Sequence, residues 1–204
     1  MDKKKLVIGG VIAVIVLAIA GAETFFSAYK FRGSVIDPPV AAGNFTLQDQ
    51  NAQAFQLSDQ RGKPVVMFFG YTNCPDICPT TLLQFKQARA QLAASGQADR
   101  VRFVFVTVDP ERDTPDKMKT YLGAIDSGLV GLTGSQADLE SVWKAYGVYR
   151  AKQPGLSQDE YADLLEHSSR VYLIDAQGKL RLTYPFGLEP DDVVQDVKYL
   201  LRKG

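Results

Sequence analysis

The chain is poor in the two residue types that carry most protein metal and redox chemistry. Its 204 residues include two cysteines, Cys74 and Cys78, and a single histidine, His167. Four-coordinate zinc or a cysteine-ligated iron–sulfur cluster needs more donors than that. Neither cation nor anion is in excess, with Lys+Arg and Asp+Glu at 23 each. No basic stripe interleaved with aromatics is present, so nothing points to nucleic acid. Internal repeats, low-complexity tracts, a Gly-rich phosphate loop and a Ser/His/Asp constellation are also missing, which leaves transferase and hydrolase readings without a motif. A folded part of roughly 160 residues buries about 70% of its unfolded surface and needs no disulfide staple.

One long apolar run is present, and it lies at the start. Met1–Lys5 reads MDKKK, and Leu6–Ala22 follows without a charge; Thr24-Phe25-Phe26 extend the run past Glu23. Seventeen apolar residues meet the lower limit for a spanning helix. Lysines before the run, against Lys30 and Arg32 after it, place the amino terminus in the cytoplasm and the body outside. Residues 1–26 are therefore read as a single-pass membrane anchor or an uncleaved signal, with a signal peptide cleaved after Ala18-Ile19-Ala20 or Ala20-Gly21-Ala22 as the competing reading, and residues 27–42 as a linker stiffened by Asp37-Pro38-Pro39. The folded domain spans residues 43–204. A bacterial cytoplasmic membrane with the domain in the periplasm is the expected location, an oxidising compartment in which a cysteine pair can form a disulfide.

Within the domain, Asn44–Asn51 and Ala54–Leu57 predict an N-terminal β-hairpin. Pro64–Gly70 is a continuous apolar run expected of a strand buried on both faces. A helical pattern runs through Leu82, Phe85, Ala88 and Leu92 to Gly96, and Val101–Val108 is the second central strand. Thr114-Pro115 opens a helix, and Leu129–Leu132 suggests a short strand. Ser135–Asp138 reads as a capping box, Arg170–Tyr184 as a hairpin, and Pro190–Lys203 as the last helix. This order predicts an α/β fold: a thioredoxin-like mixed central sheet flanked by helices.

Cys74-Pro-Asp-Ile-Cys78-Pro79 sits between the first central strand and its helix. The free N–H groups and positive dipole end of that junction favour thiolates. At i, i+4 on one helical turn the sulfurs share a face and chelate one ion or form a disulfide. Pro79 disfavours helical backbone at Cys78, which suggests an irregular turn with the helix starting at Pro79. Paired thiolates select soft metals. Copper accepts two thiolates and an imidazole, and either Cu(I) or Cu(II) is electrostatically tolerable there. In a thioredoxin-like fold the loop entering the strand at Arg170 passes beside the cysteine turn, and His167 lies in that loop. Glu166 is a candidate to orient the imidazole, Tyr71 to wall the site and Asp109 to support it. Asp109–Thr114 otherwise reads as strand end, turn and helix cap, while Trp143, Phe68, Phe69 and Tyr71 read as core. The competing reading is a metal-independent thiol–disulfide oxidoreductase or peroxidase using the Cys74/Cys78 dithiol. The sequence lacks a Trp-Cys-x-x-Cys motif and a proline ahead of Arg170, which tilts it towards copper.

Gly62–Thr81, with its Cys-Pro-Asp-x-Cys-Pro core, closely resembles the Sco/SenC family, copper proteins of cytochrome c oxidase assembly. Val108–Pro115, Val130–Gly134, His167-Ser168 and Tyr172–Asp175 match in order and spacing, so the resemblance covers about residues 40–204. It implies copper held by Cys74, Cys78 and His167, and delivery to the dinuclear copper centre of oxidase subunit II. Reduction of that subunit's cysteines is a second implied role. Other copper chaperones and a thioredoxin-like reductant are further implied partners. Asn73 stands where many members have histidine, and the approach Tyr161–His167 is two residues longer, with Glu166 in place of Asp.

Overall fold

The computed structural model describes residues 29–151, 166–167 and 169–203; for Arg150, Ala151, Glu166 and His167 it describes the backbone. The expected anchor, residues 1–26, lies outside the described residues. Among those described, no helix is long and apolar enough to cross a membrane.

The centre of the domain is β4 (Val65–Gly70), every residue of which is buried. It pairs in parallel with β5 (Arg102–Thr107) and antiparallel with β9 (Val171–Ile174). β5 in turn pairs in parallel with β6 (Val130–Thr133). Parallel neighbours need long crossovers, supplied by α1 (Ile77–Ala94) and α2 (Pro115–Ile125). β9 turns through Asp175–Gly178 into β10 (Lys179–Tyr184). The hairpin of β2 (Thr46–Asp49) and β3 (Ala54–Gln56) adds to the far side of β6. α3 (Gln136–Ala145) lies by β2, and α4 (Pro190–Lys203) packs on α1. The mixed thioredoxin-like sheet is thus as the sequence pattern predicted, with order β1-β10-β9-β4-β5-β6-β2-β3, where β1 is Ser34–Ala41.

Aromatic side chains fill the space between sheet and helices. Phe68 stacks with Phe105 at 6.0 Å and meets Phe85 edge-on at 6.5 Å, and Phe85 meets Phe103 at 5.2 Å. All four are fully buried. Each such burial stabilises by roughly 1.5–3 kcal/mol, which gives the cysteine loop a densely packed platform in the β4–β5–α1 unit. The helix caps follow their sequence signals. Thr114 Oγ1 accepts from Lys117 N–H at 3.3 Å, ahead of Pro115. Ser135 Oγ accepts from Asp138 N–H at 3.2 Å.

Three strands were not expected. β1 (Ser34–Ala41) falls inside the stretch read as linker, yet it pairs antiparallel with β10 at the sheet edge. Prolines 38 and 39 argued against a strand, but an edge tolerates proline. The pairing also skips from Val35 to Val40, so both prolines sit in the interruption. β7 (Arg150–Ala151) and β8 (Glu166–His167) form a separate two-stranded ribbon, with Arg150 opposite His167.

The start of the domain is fastened by one carboxylate. Asp196 on α4 is fully buried and accepts from Arg32 N–H at 3.0 Å, Gly33 N–H at 3.0 Å and Tyr184 O–H at 2.8 Å. Asp196→Ala leaves these donors unpaired and should destabilise the domain by about 2–4 kcal/mol in urea denaturation. Loss of less than about 0.5 kcal/mol would show that the clamp carries no stability.

Candidate metal and redox site

The cysteine loop leaves the end of β4 and enters α1 within seven residues. α1 starts at Ile77, with Asp76 at its cap position, so Cys78 and Pro79 both lie in the first helical turn. The irregular turn expected from Pro79 is not formed. Proline costs little in a first turn, where its missing N–H would have no intrahelical acceptor. Of the donors that this turn leaves over, Cys78 N–H points at Cys74 Sγ at 3.3 Å, while Cys74 N–H is used by the Tyr71 carbonyl at 3.2 Å. The positive helix end therefore acts on the sulfur of Cys74. Cys74 is partly accessible, Cys78 is buried, and the pair is in the dithiol form.

The expectation that the helix end favours a thiolate at both positions needs correction for Cys78. Burial pushes its pKa up, and the hydrogen bond and charge of Cys74 add to the effect. The Tyr71 backbone, hydrogen-bonded to the thiol, works the other way without prevailing. Desolvation of a fully buried group outweighs a partial charge at a helix end. Tyr71 thus serves the site through its backbone. Its ring, with those of Phe68, Phe69 and Trp143, is buried in the core.

Gly70 makes room for Cys78. A Cβ on Gly70 would lie 2.6 Å from Cys78 Sγ and 2.7 Å from Cε2 of Phe105. No carbon can approach that closely, so the last residue of β4 has to be glycine for the sulfur to seat.

A buried carboxyl that the sequence reading passed over holds the loop from behind. Asp113, fully buried, accepts from Thr72 N–H at 3.1 Å, from Thr72 Oγ1 and, at 2.6 Å, from Thr107 Oγ1. It joins the residue two before Cys74 to the end of β5. Burial raises its pKa, the hydrogen bonds from Thr107 and Thr72 partly offset this, and Asp109 raises it further. Asp109 itself is engaged by Arg112, and its N–H donates to Thr107 Oγ1 at 2.8 Å. It supports the network from one step further out; the carboxyl whose charge bears on Cys78 is Asp113. On the open side, Lys117 Nζ donates to Asn73 Oδ1 at 2.7 Å. Asn73 thereby ties the loop to α2 and sets a cation beside it.

Glu166 and His167 are placed in β8 by their backbones, and their side chains are outside the described part of the structure. The lengthened approach, residues 161–165, is also outside the described residues. Among the described residues no cluster of three or more His, Cys, Asp and Glu is arranged to hold an ion. The described donors are the two sulfurs. They suit a soft ion of low coordination number, since hard ions want oxygen.

A model of the SCO1/SenC family matches residues 35–202. The chain belongs to the SCO1/SenC family. This SCO1/SenC chain is 35% identical over 156 residues to an SCO2-like protein of Rickettsia felis, covering 76% of this chain and 75% of that one. Its fold matches Bradyrhizobium japonicum ScoI, solved with copper bound, at a TM-score of 0.71 and 38% identity, over 79% of this chain and 99% of that one. It also matches BsSco at a TM-score of 0.65 and 26% identity, over 82% and 98% of the two chains. BsSco is described as a member of the Sco family of cytochrome c oxidase assembly proteins in which a disulfide switch was identified.

Two outcomes follow from this geometry. Gly70→Ala should displace the Cys78 sulfur and destabilise the fold by about 1–3 kcal/mol; a wild-type unfolding midpoint would contradict the close packing. Asp113, with its pKa raised above the ordinary 3.8, holds a proton in the folded state that the unfolded chain releases. Its contribution is full below the unfolded value and is lost as pH rises through the folded one. Wild-type stability should therefore fall with rising pH relative to Asp113→Asn, measured by urea denaturation from pH 4 upward. Parallel profiles for the two proteins would refute it.

Proposed function

We propose that this protein is a copper chaperone that carries one copper ion on Cys74, Cys78 and His167 and passes it to the dinuclear copper centre of cytochrome c oxidase subunit II. The observation that carries the reading is the seating of two thiols one helical turn apart at the mouth of α1, with Cys78 N–H on Cys74 Sγ, in a chain of the SCO1/SenC family. Copper is here the cargo. Two thiolates give a Cu(I) adduct a net charge of −1 and leave a Cu(II) adduct neutral, and the ammonium of Lys117 beside the loop favours the anionic Cu(I) adduct. A partly accessible Cys74 over a buried Cys78 suits hand-over by ligand exchange, because an incoming thiolate can reach the outer sulfur first. An oxidised pair holds no ion, so a thioredoxin-like reductant belongs upstream of loading. The apolar segment Leu6–Ala22 supports display of the domain on the periplasmic side of a bacterial cytoplasmic membrane.

The metal-independent oxidoreductase has less behind it. Copper binding and disulfide exchange both need thiolates, so the raised pKa of Cys78 weighs on both readings, and what favours copper is the similarity to Bradyrhizobium japonicum ScoI, solved with copper bound.

Anaerobic copper titration of the detergent-solubilised full chain tests the reading. One copper should bind per chain, and Cys74→Ser, Cys78→Ser or His167→Ala should each weaken binding by about tenfold or more. Wild-type affinity in all three variants would sink it.

A further inference from the structure

Beyond the two sulfurs, one polar group near the cysteines is left over by everything described so far. The hydroxyl of Tyr121, on the second turn of α2, is buried and has no hydrogen-bond partner among the described residues. A phenol buried in this way is costlier than phenylalanine at the same place, so packing alone gives no reason for the oxygen.

Its surroundings supply one. The Tyr121 ring packs on Phe105 with centroids 6.3 Å apart. The edge of Phe105 and the sulfur of Cys78 converge on the same point above Gly70, where a Cβ would touch both. Tyr121 and Cys74 both lie, half-buried, against the same core. Charge on Cys78, on Cys74 and on Asp113 each acts on the phenol and, with burial, keeps it protonated well above the ordinary range. The hydroxyl is therefore a protonated donor, unpartnered among the described residues and near enough to the cysteine pair for its charge to act on it. Other described groups that bear on the sulfurs include the Tyr71 backbone on Cys78, Cys78 N–H on Cys74, and the Asp113 carboxyl, which disfavours charge there.

A neutral thiol is a weak acceptor, whereas a thiolate is a strong one and its hydrogen bonds are charge-assisted. We propose that Tyr121 is a positioning residue whose hydroxyl donates a hydrogen bond to the Cys74/Cys78 sulfurs when they are anionic, and so favours the copper-loaded pair over the copper-free dithiol. This rests on the copper reading above and adds to it a residue for which that reading gives no role. The unpartnered hydroxyl of the copper-free protein is then the cost of a bond made only on loading.

The experiment compares Tyr121→Phe with the wild-type full chain. The copper-free variant should unfold at the wild-type temperature or slightly above it, since it loses only an unpaired oxygen. Its Cu(I) affinity, measured by competition with a chromophoric chelator, should fall about tenfold. With Cu(II) bound, the sulfur-to-copper charge-transfer band should move to lower energy, because removing a donor raises the sulfur lone pairs. Site-specific 3-fluorotyrosine at position 121, a stronger donor, should shift the band the other way. Wild-type affinity with an unmoved band in both variants would overturn the role of Tyr121 and leave the copper reading standing, provided that Cys74→Ser and Cys78→Ser weaken binding. Wild-type affinity in the cysteine variants would overturn both.

Discussion

The geometry of the cysteine site depends on one buried carboxyl. Asp113 sits behind the loop and takes hydrogen bonds from the backbone and hydroxyl of Thr72 and from the hydroxyl of Thr107. Thr72 precedes Cys74 by two residues, and Thr107 ends β5, the strand parallel to β4. The carboxyl therefore couples the loop to the buried centre of the sheet. Without it, the short connection between strand and helix would keep its own backbone and the open-side tie from Lys117 to Asn73, with nothing buried behind Thr72 to fix where the sulfurs stand. Trp143 extends the same support by donating to the Thr107 carbonyl at 3.1 Å, and Asp109 with Arg112 closes it on the far side.

Two opposing effects then divide the labour between the cysteines. The helix end offers positive potential, and its available N–H is spent on Cys74. Burial against Gly70 and Phe105 dominates at Cys78 and holds it as a thiol in the dithiol form. An outer sulfur that meets solvent and an inner one that does not are suited to picking up and releasing a soft ion in steps. Lys117 supplies compensating positive charge through Asn73, and the Tyr121 hydroxyl, one turn further along the same helix, is left without a partner among the described residues.

Much of the framework could be read from pattern. The apolar run Val65–Gly70, the Thr114-Pro115 cap, the Ser135–Asp138 box and the Pro190 start are local signals, and each appears where its signal lies. β1 was hidden because Asp37-Pro38-Pro39 looks like a stalk, and only the edge of a sheet with an interrupted register accommodates it. Asp113 was hidden for a different reason. Beside Thr114-Pro115 it reads as part of a turn and cap, and nothing local marks it as the acceptor for Thr72, 41 residues away. Tyr121 likewise reads as one more apolar-face residue of a helix.

The sequence by itself determined the chemistry available: two thiols one turn apart at a strand–helix junction, a single histidine, and the order of elements that makes the sheet. Spacing and residue type are enough for that, because they act over one or two turns of chain. Only the tertiary structure decided which sulfur is sheltered, which carboxyl fixes the loop, and which hydroxyl is buried near the pair without a partner among the described residues. Desolvation and hydrogen-bond partnership arise from segments far apart in sequence packing together, and no local pattern encodes them.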